Sequence, residues 1–165
     1  MLAAIRWRIA GALPNVPRMV LIGAPHTSNW DFVVGIATAW ALSVRVTWIG
    51  KQELFRGPFD RFFKWLGGIP VDRSVSTGFV DQTVTTLRGL ERFMLALSPE
   101  GTRKAVTRWK TGFWYIATGT GVPIVLVTFD RALRTIHLGP TLTPSGDAEA
   151  DVARIRSLVD GILRG

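Results

Sequence analysis

The segment MVLIGAPHTSNWD, residues 19–31, contains the clearest structural signals in this 165-residue chain. Its first five residues, Met19–Gly23, form a short apolar run that ends in glycine and predicts a buried β-strand. Ser28 precedes a helical pattern that extends to about Leu42, and a β-rich run follows at Val44–Ile49. Strand, helix and strand therefore alternate in this part of the sequence.

The same alternation continues along the rest of the chain. Helices are predicted at Phe55–Leu66, Gly78–Arg92, Thr111–Thr118 and Ala148–Leu163, and strands at Phe93–Leu97, Val122–Phe129 and Thr135–Leu138, the last of them at a sheet edge. This order predicts an α/β fold with a mostly parallel sheet flanked by helices on both faces. No linker, charge block or internal repeat divides the sequence, so we expect a single domain over residues 1–165.

The segment 55–66 has an amphipathic pattern. Bulky apolar residues recur at helical spacing, with charged residues largely on the opposite side; the apolar positions are Phe55, Phe59, Phe62, Phe63 and Leu66. A helix packed against the core is the favoured interpretation, and contact with a membrane or an acyl chain is the alternative.

Composition limits the classes of site and partner. The chain has no cysteine, which excludes disulfides, thiolate metal sites and cysteine nucleophiles. With only two histidines we expect no metal site, and we expect no bound cofactor. The net charge of +8 predicts an anionic partner such as nucleic acid, a phosphorylated metabolite or an anionic membrane. The seven tryptophans and nine phenylalanines suit a membrane interface, although they also suit an ordinary core.

The longest uncharged stretch, residues 111–129, is interrupted by three glycines and Pro123, so it predicts helix, turn and strand rather than a membrane-spanning helix. We therefore expect a cytoplasmic protein that makes peripheral contact with an anionic membrane. No recognisable nucleic-acid-binding motif is present, and we expect no nucleic-acid partner.

His26 and Asp31 flank the start of the first predicted helix, where α/β folds place functional sites. Five residues of regular helix would rotate their side chains about 140° apart, so they can meet only if His26 lies on the loop and Asp31 in the first turn. Asp31 would then orient the imidazole as a general base. The alternative is structural, because Ser28 and Asp31 have the spacing of a capping box.

The sequence contains no obvious nucleophile for an acyl-enzyme route, since it has neither cysteine nor a Gly-x-Ser-x-Gly motif. Direct attack by an acceptor hydroxyl is simpler. A thioester donor suits this mechanism because a thiol with a pKa of about 8.5 leaves without strong acid assistance.

A basic turn follows the predicted strand Phe93–Leu97. It has the sequence SPEGTRK, residues 98–104, and Arg108 and Lys110 come shortly after it. Backbone N–H groups and cationic side chains in such a turn can bind a phosphate, although an ordinary solvated loop has the same composition. Arg73 is a further cation, with a surface ion pair to Asp72 as the alternative.

In this order, the segments resemble the four sequence blocks of the glycerolipid acyltransferase family, typified by lysophosphatidic acid acyltransferases. His26 and Asp31 match the family's catalytic pair, and Arg73 matches the arginine that ends the second block. Residues 100–103, Glu-Gly-Thr-Arg, match the third block, and residues 122–125 match the fourth.

The resemblance implies an acyltransferase that uses acyl-CoA or an acyl-carrier protein and a glycerol-phosphate or lysophospholipid-like acceptor. His26 would be the base and Asp31 its partner, and the acceptor phosphate would be bound among Arg73, Glu100, Gly101, Thr102, Arg103 and Lys110. Pro25, Pro70, Ser98 and Leu126 depart from the family pattern, which leaves the acceptor open.

Two other function classes remain at this point. With water in place of the acceptor hydroxyl, the same histidine would make a thioesterase. A non-enzymatic binder of anionic membranes would use the charge and the aromatic residues alone. His137, on the predicted edge strand, is interpreted as structural or surface-exposed rather than as the base.

Overall fold

The computed structural model describes residues 6–26, 28–71, 78–101 and 108–164. The strands are β1 (Arg8–Gly11), β2 (Arg18–Ala24), β3 (Thr47–Lys51), β4 (Gly68–Val71), β5 (Phe93–Leu97), β6 (Ile124–Asp130) and β7 (Thr135–Leu142). The helices are α1 (Asn29–Ala41), α2 (Asp60–Trp65), α3 (Phe79–Arg88), α4 (Gly112–Thr120) and α5 (Ala148–Arg164), with a short 3₁₀-helix at Gln52–Phe55. No helix in these ranges is long and apolar enough to cross a bilayer.

The strands form one seven-stranded sheet in the order β1-β7-β6-β2-β5-β3-β4. Every neighbouring pair is parallel except β6 and β7, which are antiparallel. The strand β2 lies near the middle, where Val20 pairs with Ile124 of β6 and with Leu95 of β5. The predicted fold class, an α/β fold with a mostly parallel sheet, is therefore confirmed.

Alternating side chains of β2 divide the core between the two faces of the sheet. Val20 and Ile22 are buried in the cluster that contains α3, α4 and α5. Met19 and Leu21 are buried on the opposite face, and α1 packs on that same face through Val34. Both faces are thus covered by helices, as predicted, and apolar burial on both faces explains why β2 reads as a continuous apolar run.

The prediction that Thr135–Leu138 lies at a sheet edge is wrong. It belongs to β7, which has β1 on one side and β6 on the other. His137 pairs with Ala10 of β1 and Thr128 of β6, so it lies in an interior strand. The actual edge strands, β1 and β4, were not predicted, because four residues are too few to show a clear alternation and β4 contains Pro70.

The core-facing interpretation of the segment 55–66 holds only in part, because the half-buried Phe63 contacts Phe55 and Trp48 but the segment is not one continuous helix. Only Asp60–Trp65 is α-helical, and none of these six residues is buried. The continuous helix is broken at Gly57, which has a φ of 128°, a conformation that glycine adopts readily. Phe55 is buried, whereas Phe59 and Phe62 are exposed.

Other bounds differ by a few residues. The strand predicted at Val44–Ile49 begins at Thr47, and the helix predicted at Gly78–Arg92 ends at Arg88, directly before Gly89. The helix predicted after Ser28 is confirmed as α1, with Ser28 as its N-cap residue.

Candidate active site

Three polar segments follow the carboxyl ends of neighbouring strands. His26 follows β2, the segment 98–101 follows β5, and Arg131 follows β6. Because β2 lies between β5 and β6 and all three run parallel, their carboxyl ends meet at one edge of the sheet. This edge brings together residues that are up to 105 positions apart in the chain, from His26 to Arg131.

The two predicted catalytic and acceptor segments contact each other directly. The backbone N–H of His26 donates a hydrogen bond to Glu100 Oε2 at 2.7 Å. Glu100 is buried, so this bond is shielded from competing water. Its carboxylate therefore fixes the backbone of the loop that carries His26.

Ser28 and Asp31 form the predicted capping box at the start of α1. The Ser28 backbone N–H donates to Asp31 Oδ2 at 2.9 Å, and the Trp30 backbone N–H donates to Ser28 Oγ at 3.1 Å. The structural interpretation of this segment is thus confirmed. It does not exclude the functional one, because the same carboxylate also faces His26.

The imidazole of His26 lies next to the Asp31 carboxylate. His26 Nδ1 is 3.8 Å from Asp31 Oδ2, which is longer than a hydrogen bond. The Asp31 side chain is only 2% exposed, whereas that of His26 is 28% exposed. Arg131 Nη2 donates to the other carboxylate oxygen, Asp31 Oδ1, at 2.6 Å. A buried carboxylate is thereby held between a guanidinium group, a helix N-terminus and an accessible imidazole.

A cavity of about 710 Å³ lies between α1 and the sheet. Its polar lining near the carboxyl ends of β2 and β5 consists of His26, Asp31 and Ser98. The rest of the lining is mostly apolar, with side chains from α1, β2, β3, β5, β6 and β7 that include Phe32, Ile36, Leu42, Trp48, Val127 and Phe129. This size is typical of a pocket for a small-molecule ligand or for part of a larger one.

Lys110 lies beside the segment that follows β5. Its backbone N–H donates to the Pro99 carbonyl oxygen at 2.8 Å. Its side chain passes close to Gly101, where a Cβ atom would lie 2.8 Å from Lys110 Cε and 3.0 Å from Nζ. Gly101 lines the cavity and has a φ of 63°, a conformation that glycine adopts readily. A larger residue at position 101 would also collide with the Lys110 side chain.

The structure brings together His26, Asp31, Glu100, Gly101 and Lys110 of the predicted site residues. The other three, Arg73, Thr102 and Arg103, lie outside the described residues. Within the described ranges, no three histidine or acidic side chains lie close enough to hold a metal ion.

Sequence reasoning missed Arg131. The signal that could have found it is topological, because a cation directly after a strand that neighbours β2 must lie at the same sheet edge as His26. The sequence alone does not give the strand order, so the pairing with Asp31 could not be deduced from spacing.

The sequence model of the Acyltransferase family matches residues 8–130, about three quarters of the chain. The chain belongs to this acyltransferase family. The matched region runs from the start of β1 to the end of β6, and it therefore contains His26, Asp31 and Glu100.

Two curated relatives are similar to this acyltransferase-family chain. The 1-acyl-sn-glycerol-3-phosphate acyltransferase of Haemophilus influenzae is 28% identical over 140 residues, which cover 81% of this chain and 57% of the relative. The protein of the same name from Escherichia coli K12 is 30% identical over 122 residues, which cover 70% of this chain and 48% of the relative. The chain thus spans about half the length of the curated relatives that it matches.

Proposed function

We propose that this chain transfers a fatty acyl group from an acyl thioester to a hydroxyl group of a glycerol-phosphate or lysophospholipid-like acceptor. The donor would be acyl-CoA or an acyl-carrier protein, used as a co-substrate without a bound cofactor. The observation that carries this proposal is the position of His26 and Asp31 in the wall of an apolar cavity of about 710 Å³. The names of the two relatives support a glycerol-phosphate acceptor.

His26 is the proposed general base. Nδ1 is the ring nitrogen that lies 3.8 Å from Asp31, which leaves Nε2 to accept a proton from the acceptor hydroxyl. Catalytic hydrogen bonds are often long in unliganded enzymes and shorten when substrate binds. The Asp31 carboxylate would stabilise the imidazolium that forms.

The proposed reaction needs no acyl-enzyme intermediate. The acceptor oxygen attacks the thioester carbonyl carbon while its proton passes to His26. The tetrahedral intermediate then collapses with cleavage of the C–S bond, and the leaving thiolate takes the proton from the His26 imidazolium, which restores the neutral imidazole. The new bond is a carboxylic ester, so donor and acceptor atoms are all accounted for.

The cavity is proposed to hold the acyl chain. Its lining is mostly apolar, so burial of methylene groups there is favourable by about 0.8 kcal/mol for each group. The polar residues His26 and Asp31 belong to the same lining. An acyl chain in the cavity would therefore place its thioester near the proposed base.

The acceptor phosphate is proposed to bind near the segment that follows β5. Lys110 supplies an ammonium group beside Gly101, and Gly101 lines the cavity. Arg73, Thr102 and Arg103 are proposed to complete this site on the basis of the sequence blocks. Arg103→Ala is expected to raise the acceptor KM while donor binding changes less.

The testing experiment measures thiol release from long-chain acyl-CoA by the purified protein. Release is followed with and without glycerol 3-phosphate or lysophosphatidic acid, and the lipid product is identified. We expect release that requires an acceptor. In His26→Ala, kcat should fall by on the order of 10²–10⁴, as loss of a general base predicts.

The chain offers a matched control, because His137 is its other histidine and is not in the cavity lining. His137→Gln should keep the activity of the wild type. Release without acceptor would instead support a thioesterase. If acyl-CoA gives no release, the same assay with an acyl-carrier protein tests the second donor, and inactivity with both donors would refute the proposed function.

A further inference from the structure

Four exposed aromatic side chains lie on α1 and on the segment that contains α2. Trp40, Phe59, Phe62 and Trp65 are between 51% and 65% exposed, and together they form the aromatic surface. Trp65 joins the two elements, because its ring centroid is 6.3 Å from that of Trp40 and 6.3 Å from that of Phe62. A cluster of aromatic rings on a solvent-exposed surface indicates an interaction site.

Basic residues accompany the aromatic surface. Residues 45–64 contain five basic and two acidic residues, which gives this segment a net charge of +3. Arg45, Arg56 and Arg61 are exposed. Lys64 is paired with Asp60 at 2.9 Å, and this pair does not change the net charge of the segment. The surface therefore combines exposed aromatic rings with positive charge, and it is complementary to an anionic partner with an apolar interior.

A continuous series of ring contacts connects this surface with the cavity. Trp65 stacks on Phe62, and the Phe62 ring centroid is 5.7 Å from that of Phe63. Phe63 is in turn 6.1 Å from Trp48, and Trp48 is 5.3 Å from Phe32. Phe32 and Trp48 line the cavity. The aromatic surface is thus connected by contacting aromatic rings to the side chains of Trp48 and Phe32, which form part of the cavity wall.

We propose that the aromatic surface docks on an anionic lipid bilayer. Tryptophan and phenylalanine insert favourably at the boundary between headgroups and acyl chains, and the neighbouring arginines bind anionic headgroups. Docking in this orientation places the aromatic contacts between the bilayer and the cavity. A lipid chain can then pass along apolar side chains from one to the other, and this last step rests on the proposed function.

The absence of native cysteine allows a direct test of the docking orientation. Phe62→Cys carries an environment-sensitive fluorophore, and Tyr115→Cys on α4 carries the same label as the control. Tyr115 is 51% exposed, equal to Phe62, but it belongs to a helix on the opposite face of the sheet. Vesicles of phosphatidylcholine with about one-third phosphatidylglycerol should shift the emission of the label at position 62 to shorter wavelength and leave that at position 115 unchanged.

A second test measures binding to the same vesicles by co-sedimentation. The triple variant Trp40→Ser, Phe62→Ser, Trp65→Ser should bind on the order of tenfold more weakly than the wild type. The double variant Tyr115→Ser, Leu90→Ser, which removes exposed apolar side chains elsewhere, should bind like the wild type. Wild-type binding should weaken with phosphatidylcholine alone and when salt rises from about 0.05 M to about 0.5 M.

Equal vesicle binding by the triple variant and the wild type would overturn the proposal. So would self-association of the wild type that the triple variant loses without any vesicle binding, because the surface would then bind a second copy. The two proposals fail separately. Vesicle binding by a protein that is inactive with every donor supports docking and refutes the transferase, whereas acyl transfer without vesicle binding does the reverse.

Discussion

Arg131 Nη2 lies 2.6 Å from Asp31 Oδ1, although the two residues are 100 positions apart in the chain. Asp31 Oδ2 lies 3.8 Å from Nδ1 of His26. One oxygen of this buried carboxylate therefore binds the guanidinium group, and the other lies next to the proposed base. Arg131 is itself 47% exposed at its side chain. It fixes the orientation of Asp31 without touching the cavity, which makes it a positioning residue for the proposed reaction.

Arg131→Ala should lower kcat by about tenfold with little change in the acceptor KM, because a carboxylate that can rotate orients the imidazole less well. Steady-state kinetics with varied acceptor measures both parameters. Arg131→Lys should restore part of the activity, since an ammonium group keeps the charge but lacks the planar geometry of the guanidinium. Full kcat in Arg131→Ala would show that the contact is only a surface ion pair.

Glu100 is expected to act through the His26 backbone rather than by binding the acceptor phosphate. Its Oε2 accepts from the His26 N–H at 2.7 Å, and a carboxylate would repel a phosphate. Glu100→Ala should therefore lower kcat by about 10- to 100-fold, whereas Glu100→Gln, which keeps an acceptor oxygen, should retain more activity. A raised acceptor KM with unchanged kcat would contradict this role and support the phosphate site that the sequence predicted.

Gly35 is the position on α1 at which a larger side chain would shorten the cavity. It lines the cavity, and a Cβ atom there would lie 3.9 Å from Phe129 Cζ, an ordinary contact. Gly35→Leu should lower kcat/KM for long-chain acyl donors by about tenfold relative to short-chain donors. Gly35→Ala is the control and should keep the wild-type preference while adding up to about 1 kcal/mol of helix stability. An unchanged chain-length preference in folded Gly35→Leu would mean that the acyl chain binds elsewhere.

Local signals were sufficient for the strand, loop and helix that carry the site. The apolar run of β2 needs only its own side chains to be recognised, and Ser28 marks the start of α1 by a hydrogen-bonding rule that spans three residues. The fold class could also be predicted, because most helices and strands have a local sequence pattern and their order indicates an α/β fold. His26 and Asp31 could be paired from the sequence because His26 lies on the short loop before α1 and Asp31 lies in the first turn of that helix.

Long-range features could not be deduced in this way. The place of β7 inside the sheet depends on the added strand β1, which has only four residues. The contact of Arg131 with Asp31 depends on strand order, and the cavity depends on side chains from six elements. The exposure of Phe62 could not be predicted from the helical pattern either. Amphipathic spacing shows that one side of a helix is apolar, but it does not show whether that side packs against the core.

Asp151 links α5 to the core at a distance from the cavity. Its Oδ2 accepts from Trp114 Nε1 at 2.8 Å and from the Ser145 backbone N–H at 2.7 Å. Burial by itself raises the pKa of Asp151, but the hydrogen bonds from Trp114 and Ser145, with a smaller contribution from Arg154, hold this pKa below its ordinary value. Asp151→Ala would leave the buried Trp114 Nε1–H without this acceptor, whereas the N–H of the exposed Ser145 can bond water, and it should lower the free energy of unfolding by about 1–3 kcal/mol.

Because the folded-state pKa of Asp151 is lowered, its stabilising contribution is present above the unfolded-state pKa of about 3.9 and is lost as the pH falls through the folded-state value. Asp151→Asn keeps one acceptor oxygen but cannot titrate. Urea unfolding of wild type and Asp151→Asn, measured from about pH 7 down to about pH 3, should therefore show a stability difference that is constant above about pH 5 and narrows below about pH 4. Asp147→Asn is the control, since that carboxylate is exposed and accepts only from the Ala150 backbone N–H in the part of the chain that the structure describes. A difference that stays constant over the whole range would show that the charge of Asp151 does not contribute to stability.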